Sequence, residues 1–514
     1  MSELVVHLDD RGVHVDDVIA VARGNARIEI TARALEGVAV TRTRIDELAA
    51  SAEPKYGIST GFGALATRHI SPELRTQLQR SLIRSHAAGM GAPVEREVVR
   101  ALMFLRLKTL ASGRTGVRPA VVMTMAALLN AGITPKVLEY GSLGCSGDLA
   151  PLSHCALVLM GEGTASGPDG VEAPAADLLA AAGIEPVVLE AKEGLALING
   201  TDGMLGMLCM AIVDLEELCD VADVTAAMSV EALMGTDAVF RPELHGPLRP
   251  HPGQARSAAR MLAVLDGSGV VESHKIDDTR VQDAYSLRCA PQVAGAVRDT
   301  VTYARVVAER ELASSVDNPV VLPDGRVESN GNFHGAPVAY VLDFLAIVSA
   351  DLGSIAERRT DRLLDKARSH GLPPFLAHDP GVDSGLMIAQ YTQAAMVSEN
   401  KRLANPASVD SIPSSAMQED HVSMGWSAAR KLRHSVDNLR RILAVELVAS
   451  ARGLDLRAPL VPAPATAAVV AALRETVEGP GTDRHLAPEL EAAESFIKDG
   501  GVARALTAAG LSLP

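Results

Sequence analysis

Long uninterrupted apolar runs are missing from this 514-residue chain. The most apolar stretch, Val338 to Leu352, is broken by Asp343 and Asp351. It is too short and too polar for a membrane-spanning helix, which needs about 20 apolar residues. Positive charge is also in deficit: 48 Lys and Arg stand against 63 Asp and Glu, a net charge of −15. That balance argues against nucleic acid or an anionic membrane as partner. The acidic residues are scattered rather than gathered in a tail, so the charge reads as solubility. Cysteine is scarce and odd in number, with five residues (Cys145, Cys155, Cys209, Cys219, Cys289) and no metal-like spacing. Cys155, Cys209 and Cys219 lie among apolar neighbours and read as reduced core residues, as a cytoplasmic location would require. Between Met1 and Asp17 no basic segment precedes an apolar one, so no signal peptide is expected. Repeats and long low-complexity tracts are absent as well.

What is present is helical periodicity. At 47% hydrophobic residues the chain has ample material for a core. Its length exceeds the ~250–300 residues at which single cores stop growing, so several structural regions or a shared oligomeric core are expected. The pattern predicts a short helix over 118–132, with Pro119 at its start and Gly132 at its close. From Thr201 to about Leu233, Met204, Leu208, Ile212, Leu215, Cys219 and Ala222 recur three or four apart, which predicts one long helix. Similar patterns cover 287–314, 336–366, 384–403 and 421–452, and together they suggest a bundle. Strand candidates are confined to 4–8, 28–30 and 320–329. Gly167-Pro168-Asp169-Gly170 reads as an exposed turn. Three regions follow: 1–200, a central bundle over 201–458, and a helical segment over 459–514 set off by the proline-rich 459–464.

The segment Gly141-Ser142-Leu143-Gly144-Cys145-Ser146-Gly147-Asp148-Leu149-Ala150-Pro151 carries the chemistry. It sets a serine between a small residue and a glycine at the mouth of a helix. The amide nitrogen of Gly147 can attack the Cys145 carbonyl carbon only in a very tight bend, which glycine permits. Loss of the Ser146 hydroxyl would then leave an exocyclic methylene on a methylidene-imidazolone ring, an electrophile no ordinary side chain offers. Alone, Ser-Gly-Asp is equally a plain turn, with Asp148 as N-cap of a helix starting at Leu149.

The eleven-residue string has company. Tyr56-Gly57-Ile58-Ser59-Thr60-Gly61-Phe62-Gly63, Ser85-His86-Ala87-Ala88-Gly89, Leu197-Ile198-Asn199-Gly200-Thr201, Gln282-Asp283-Ala284-Tyr285-Ser286-Leu287-Arg288-Cys289, Gly331-Asn332-Phe333-His334 and Gln418-Glu419-Asp420-His421 follow in order along the chain. Together they resemble the signatures of the aromatic amino-acid ammonia-lyases and aminomutases, and the resemblance runs from near the start to residue 421. It implies a mainly α subunit with a long-helix bundle of the ammonia-lyase and fumarase-like type. The smaller N-terminal region would carry the self-made electrophile. It further implies a homotetramer with active sites shared between subunits, and elimination of ammonia from an α-amino acid.

The resemblance also distributes roles. Cys145, Ser146 and Gly147 would form the ring. Tyr56, on a glycine-rich loop, would take the β-proton, although a tyrosine titrates near ~10 unless its neighbours depress it. Tyr285 and Asn199 would border the ring. Arg288 would clamp the substrate carboxylate through a two-pronged contact that lysine cannot make. Gln282 and Phe333 would stand beside the substrate. Read from local sequence alone, Arg288 is a surface ion pair, Asn199 a turn residue and His86 a structural histidine. The Ser85-His86 pair resembles histidine-selective members, whereas phenylalanine-selective members place apolar residues there and tyrosine-selective ones a histidine one position earlier. With Glu419 able to accept a hydrogen bond from an imidazole or amine, the expected substrate is L-histidine and the product trans-urocanate. The rivals are a sister lyase or aminomutase for tyrosine or phenylalanine, and an inactive helical scaffold. Glu419, Asp420 and His421 are consecutive and point apart on a helix, and no nucleotide loop is matched, so neither metal nor nucleotide is expected. Four positions depart from the family pattern: Cys145 for alanine, Ala284 for proline, Met417 for asparagine and Asp202 for glutamine. Ala284 is expected to loosen its loop.

Overall fold

The computed structural model describes residues 4–51, 56–61, 68–144, 147–276, 278 and 280–514. The chain divides into two compact units. One comprises Met1–Met210, Arg305–Asp343 and Pro406–Arg430; the other Ala211–Ala304, Phe344–Asn405 and Lys431–Pro514. Four of the five boundaries fall inside long helices, Asp202–Ala232, Ala290–Leu312, Ala336–Leu364 and Gly425–Asp455; the fifth lies between Asn405 and Pro406, outside any helix.

The first unit is organised around the helix Arg96–Ala111, buried without interruption from Val98 to Ala111. Its alanine, leucine and methionine side chains favour a helix by propensity. Its cations are admitted to the interior because carbonyls receive them: Arg100 donates to Val21 O and to Leu129 O, each at 3.0 Å. The helices Val15–Ala22 and Pro119–Asn130 pack on it. Pro119 takes the first helical position, where its missing N–H costs nothing. Small sheets fringe this core. Val5–Leu8 runs parallel to Arg27–Ile30 with Val5 opposite Arg27. Met90–Pro93 pairs with Leu138–Tyr140, and Thr134–Pro135 with a hairpin of Thr164–Ser166 and Glu172–Pro174. The 167–170 segment is the tip of that hairpin, closed by Gly170 N–H to Gly167 O at 3.0 Å. A further hairpin joins Val320–Val321 to Val327–Glu328.

The second unit is a bundle built from the long helices together with Met387–Leu403 and the terminal helices Pro464–Leu473, Ala487–Lys498 and Gly501–Ala508. Side-chain amides tie its helices through backbone carbonyls: Gln393 to Ile442 O at 2.8 Å and Asn400 to Ser435 O at 3.0 Å. Buried Arg298 donates to Asp223 at 2.6 Å and to Asp220 at 2.7 Å. The 287–314 pattern resolves into two pieces, Tyr285–Arg288 and Ala290–Leu312. The short turn follows Ala284, an extended residue, and apolar spacing carries no mark of that break. By length and composition Glu193–Ala232 and Ala336–Leu364 could each cross a membrane. The second is longer than the apolar run visible in the sequence. Their most apolar windows are 94% and 61% buried within the protein, as core helices are.

Candidate active site

The residues flanking the expected ring are held by a dense set of bonds within the first unit. Gly147 has φ +86°, and a Cβ there would lie 2.1 Å from Gly200 O, so glycine alone fits. Asp148 N–H donates to Gly200 O at 2.6 Å. Gly144 has φ +72°, and a Cβ would come within 2.3 Å of Ser423 Oγ. Its carbonyl accepts from Ser423 Oγ at 2.6 Å and from Gly335 N–H at 3.1 Å. Cys145 and Ser146 lie outside the described residues, so of the three expected ring residues Gly147 alone is placed here.

Asp148 does not cap its own helix, Leu149–Leu159, as its position suggests. Its carboxylate reaches the start of Asp202–Ala232 instead, where Oδ2 accepts from the N–H groups of Gly203 at 2.8 Å and Met204 at 3.1 Å. Oδ1 accepts from Ser142 Oγ at 2.8 Å, and Ser142 Oγ in turn accepts from Gly144 N–H at 3.1 Å. A carboxylate at a helix N-terminus is favoured by the orphan N–H groups and the dipole. Complete burial still outweighs those bonds and pushes its pKa up to about 7. The loop is thus fastened to a helix some fifty residues further along the chain.

Asn199 closes the helix Glu193–Ile198 and is 4% exposed. Its Nδ2 donates to Asn318 O at 2.8 Å, and its own carbonyl accepts from Arg106 at 2.8 Å. Oδ1 is buried without a hydrogen-bond partner among the described residues. A buried acceptor left without a partner costs about 1–3 kcal/mol. Tyr56 is half-buried in a turn, and Gly57 behind it packs on Leu195 and Pro319 with φ +73°.

His86 ends the helix Arg75–His86 and is half-buried. The Ser85 hydroxyl donates to Leu82 O at 3.1 Å and so has only lone pairs for His86 Nδ1, 3.0 Å away. If that hydroxyl hydrogen stays on Leu82 O, Nδ1 carries the proton and Nε2 is the acceptor. Burial lowers the His86 pKa; the Leu82 carbonyl and the charge of Glu419 oppose it without prevailing. Glu419 is paired across a bridge with Ser414, whose N–H donates to Glu419 O at 2.9 Å. Between them Ser415, Ala416 and Met417 all have positive φ (51°, 53° and 69°). Three consecutive left-handed residues without glycine cost energy that the surrounding fold must supply, and such strain concentrates at functional loops. The imidazoles of His334 and His421 stack with centroids 5.6 Å apart. Phe333, next to His334, is half-buried.

Gln282, Tyr285 and Arg288 belong to the second unit. Gln282 is exposed, Tyr285 is 72% exposed, and the Arg288 guanidinium lies 4.8 Å from the Tyr285 ring centroid, a cation–π contact. Arg288 Nε is buried without a hydrogen-bond partner among the described residues. The turn is held from below. Asp283 accepts from Thr236 N–H at 2.7 Å, and Arg359 donates to Ser286 O at 3.3 Å. Ala284 has φ −63°, the value proline would impose, and ψ 155°.

A family model for aromatic amino acid lyases matches residues 13–475. The chain belongs to the aromatic amino acid lyase family. It is 72% identical over 495 residues to the histidine ammonia-lyase of Streptomyces avermitilis, covering 96% of each chain. It is 47% identical over 503 residues to that of Gloeobacter violaceus, covering 98% of this chain and 97% of the relative. Among solved structures, the tyrosine aminomutase of Streptomyces globisporus superposes with TM-score 0.94 at 38% identity, covering 99% and 100%. The histidine ammonia-lyase of Trypanosoma cruzi does so with TM-score 0.90 at 38% identity, covering 98% and 96%.

Gly147, which admits no Cβ, the orphan Asn199 Oδ1 and the Gly200 backbone fit a ring made from the chain itself. Sequence reading missed the Asp148 tie to Gly203 and Met204, the Ser423 bond to Gly144 and the left-handed run at 415–417. Only the glycine at 144 hinted at the second. The other two depend on contacts distant in sequence or on backbone angles of residues that do not favour them.

Proposed function

We propose that the chain is a histidine ammonia-lyase, converting L-histidine to trans-urocanate and ammonia without oxidation. The observation that carries this reading is 72% identity, over nearly the whole chain, to proteins of that name. The fold alone does not choose the substrate, since a tyrosine aminomutase superposes equally well. His86 favours histidine. Its Nε2 can accept from the substrate imidazole N–H, and Glu419 can accept from the imidazole or the amine. A pocket with such groups rejects an apolar side chain, because they would be left unpaired.

The methylidene-imidazolone expected from Cys145, Ser146 and Gly147 would supply an electrophilic methylene beside the substrate amine. Tyr56 takes the β-proton, Arg288 holds the carboxylate in two-pronged fashion, and Asn199 and Tyr285 border the reacting atoms. Gln282 and Phe333 line the substrate. The Cβ–H bond breaks with its proton passing to Tyr56, and its electron pair forms the Cα–Cβ double bond. The Cα–N bond breaks with its electron pair on nitrogen, so nothing is oxidised or reduced. A positioned base is worth about 10²–10⁴ in rate, and fixed geometry supplies much of the remainder. Residues 1–200 carry the ring-forming loop, 201–458 the bundle and 459–514 a helical closure. The reading includes a cytoplasmic homotetramer whose subunits share sites. The exposure of Tyr285 (72%) and Val281 (96%) supports it, because a substrate-binding turn so open needs a cover. Urocanate release from L-histidine, measured beside tyrosine and phenylalanine, tests the function. Selective turnover of histidine is expected, and a preference for tyrosine would overturn it.

A further inference from the structure

In the first unit Lys192 Nζ lies 2.6 Å from Asp317 Oδ2, and both side chains are fully buried. Taking two charges out of water costs several kcal/mol per ion, and a pair serving stability alone is replaceable by apolar side chains of like size. This pair sits where three segments of the proposed site meet. Lys192, at φ +74°, starts the helix Glu193–Ile198, which ends in Asn199. On the other side, Asp317 Oδ1 accepts from Asn318 N–H at 2.8 Å, and Asn318 O accepts from Asn199 Nδ2 at 2.8 Å. Asn318 Oδ1 accepts from Asn330 N–H at 3.0 Å, while Asn330 Nδ2 donates to Asp317 O at 3.0 Å. Asn330 Oδ1 then accepts from Asn332 N–H at 2.9 Å, one residue before Phe333. The Tyr56 turn rests on the same base: a Cβ on Gly57 would meet Leu195 at 2.8 Å, Pro319 at 3.3 Å and the Lys192 stem at 3.8 Å. Arg106 adds a parallel tie, donating to Asn199 O and to Val316 O, each at 2.8 Å.

We propose that Lys192 and Asp317 are positioning residues whose ion pair fixes Asn199, the Tyr56 turn and the Phe333 loop relative to one another. The inference rests on the reading of those three as residues of the ammonia-lyase site. The pair touches no reacting atom. It acts through the Asn318 carbonyl and the Asn330 amide, which register the two loops against the end of the Glu193–Ile198 helix. Displacement of such groups by about 1 Å costs roughly a hundredfold in rate.

The test uses the full-length protein with Lys192→Met, Asp317→Asn, the double variant, and Asn330→Ala, which cuts the link to the Phe333 loop and spares the pair. Melting temperature, intact mass, and kcat and KM for L-histidine are read for each. Either single charge removal should lower the melting temperature by stranding the other charge, and the double variant should recover it. The double variant should retain the mass deficit of the closed ring and lose about ten- to a hundredfold in kcat, with KM within about threefold. Asn330→Ala should lose kcat in the same way at an unchanged melting temperature; it decides the matter if the double variant does not fold. A double variant with wild-type kcat, or a kcat loss matching the fraction lacking the mass deficit, overturns the positioning role. A wild type that releases no urocanate overturns the reaction itself, and this inference with it.

Discussion

At the scale of single residues, the proposed preference for histidine turns on which nitrogen of His86 carries the proton. With the Ser85 hydroxyl hydrogen on Leu82 O, His86 would carry its proton on Nδ1 and accept at Nε2. Leaving the substrate imidazole N–H unpaired costs about 1–3 kcal/mol, so His86→Leu should lower kcat/KM for L-histidine roughly 5- to 150-fold. The loss for phenylalanine should be smaller, and steady-state kinetics on both amino acids check this. Protonated His86 cannot accept. Because burial holds its pKa below 6.5, the accepting form persists at neutral pH and is lost as pH falls through that lowered value. The matching stability contribution has the same sign: it is present above the unfolded pKa of about 6.5 and declines below it, where the unfolded chain binds the proton more readily. A pH profile of kcat/KM should therefore show an acid limb below 6.5 that His86→Leu removes. Part of this was legible in the sequence, since Ser85-His86 and Glu419 are named by their neighbours. The tautomer was not, because it depends on which carbonyl one hydroxyl finds.

At the scale of elements, a short turn is only as firm as the helices beneath it. Tyr285–Arg288 is four residues long and cannot order itself. Arg359, donating to Ser286 O, holds it from the bundle. Arg359 is in turn fixed by Glu446 at 3.0 Å, and Glu446 also accepts from Thr225 and Ser229, each at 2.9 Å. Arg359→Met should destabilise the protein by about 3–5 kcal/mol, because Glu446 is left buried and unpaired. It should also raise KM for histidine, since the Arg288 turn loses its support. Denaturant unfolding and kinetics measure the two effects, and an unchanged KM would separate the turn from its foundation. The long helices were readable because their apolar residues recur with a 3.6-residue period over seven or eight turns. The break near Cys289 and the small sheets at 90–93 and 134–140 were not. These strands are two to four residues long, and they form where the tertiary structure brings backbone edges together.

At the scale of the whole molecule, chain length and long apolar helices are accounted for by a family architecture that the motifs announced in order. The proposed sharing of sites between subunits rests on side chains exposed at and just before the Tyr285–Arg288 turn, Val281 and Tyr285 among them. The account nevertheless depends on a covalent event at three residues. Gly147 is held against Gly200 with no room for a Cβ, and Asp148 anchors the loop to the start of the helix Asp202–Ala232. That frame has a chemical purpose only if the backbone closes there. Intact-protein mass spectrometry of the full-length chain tests this most directly. The account predicts a mass two waters below that of the encoded sequence, with the deficit confined to a peptide spanning 141–151 and abolished in Ser146→Ala. An encoded mass with no deficit, in protein that turns over L-histidine, would contradict it.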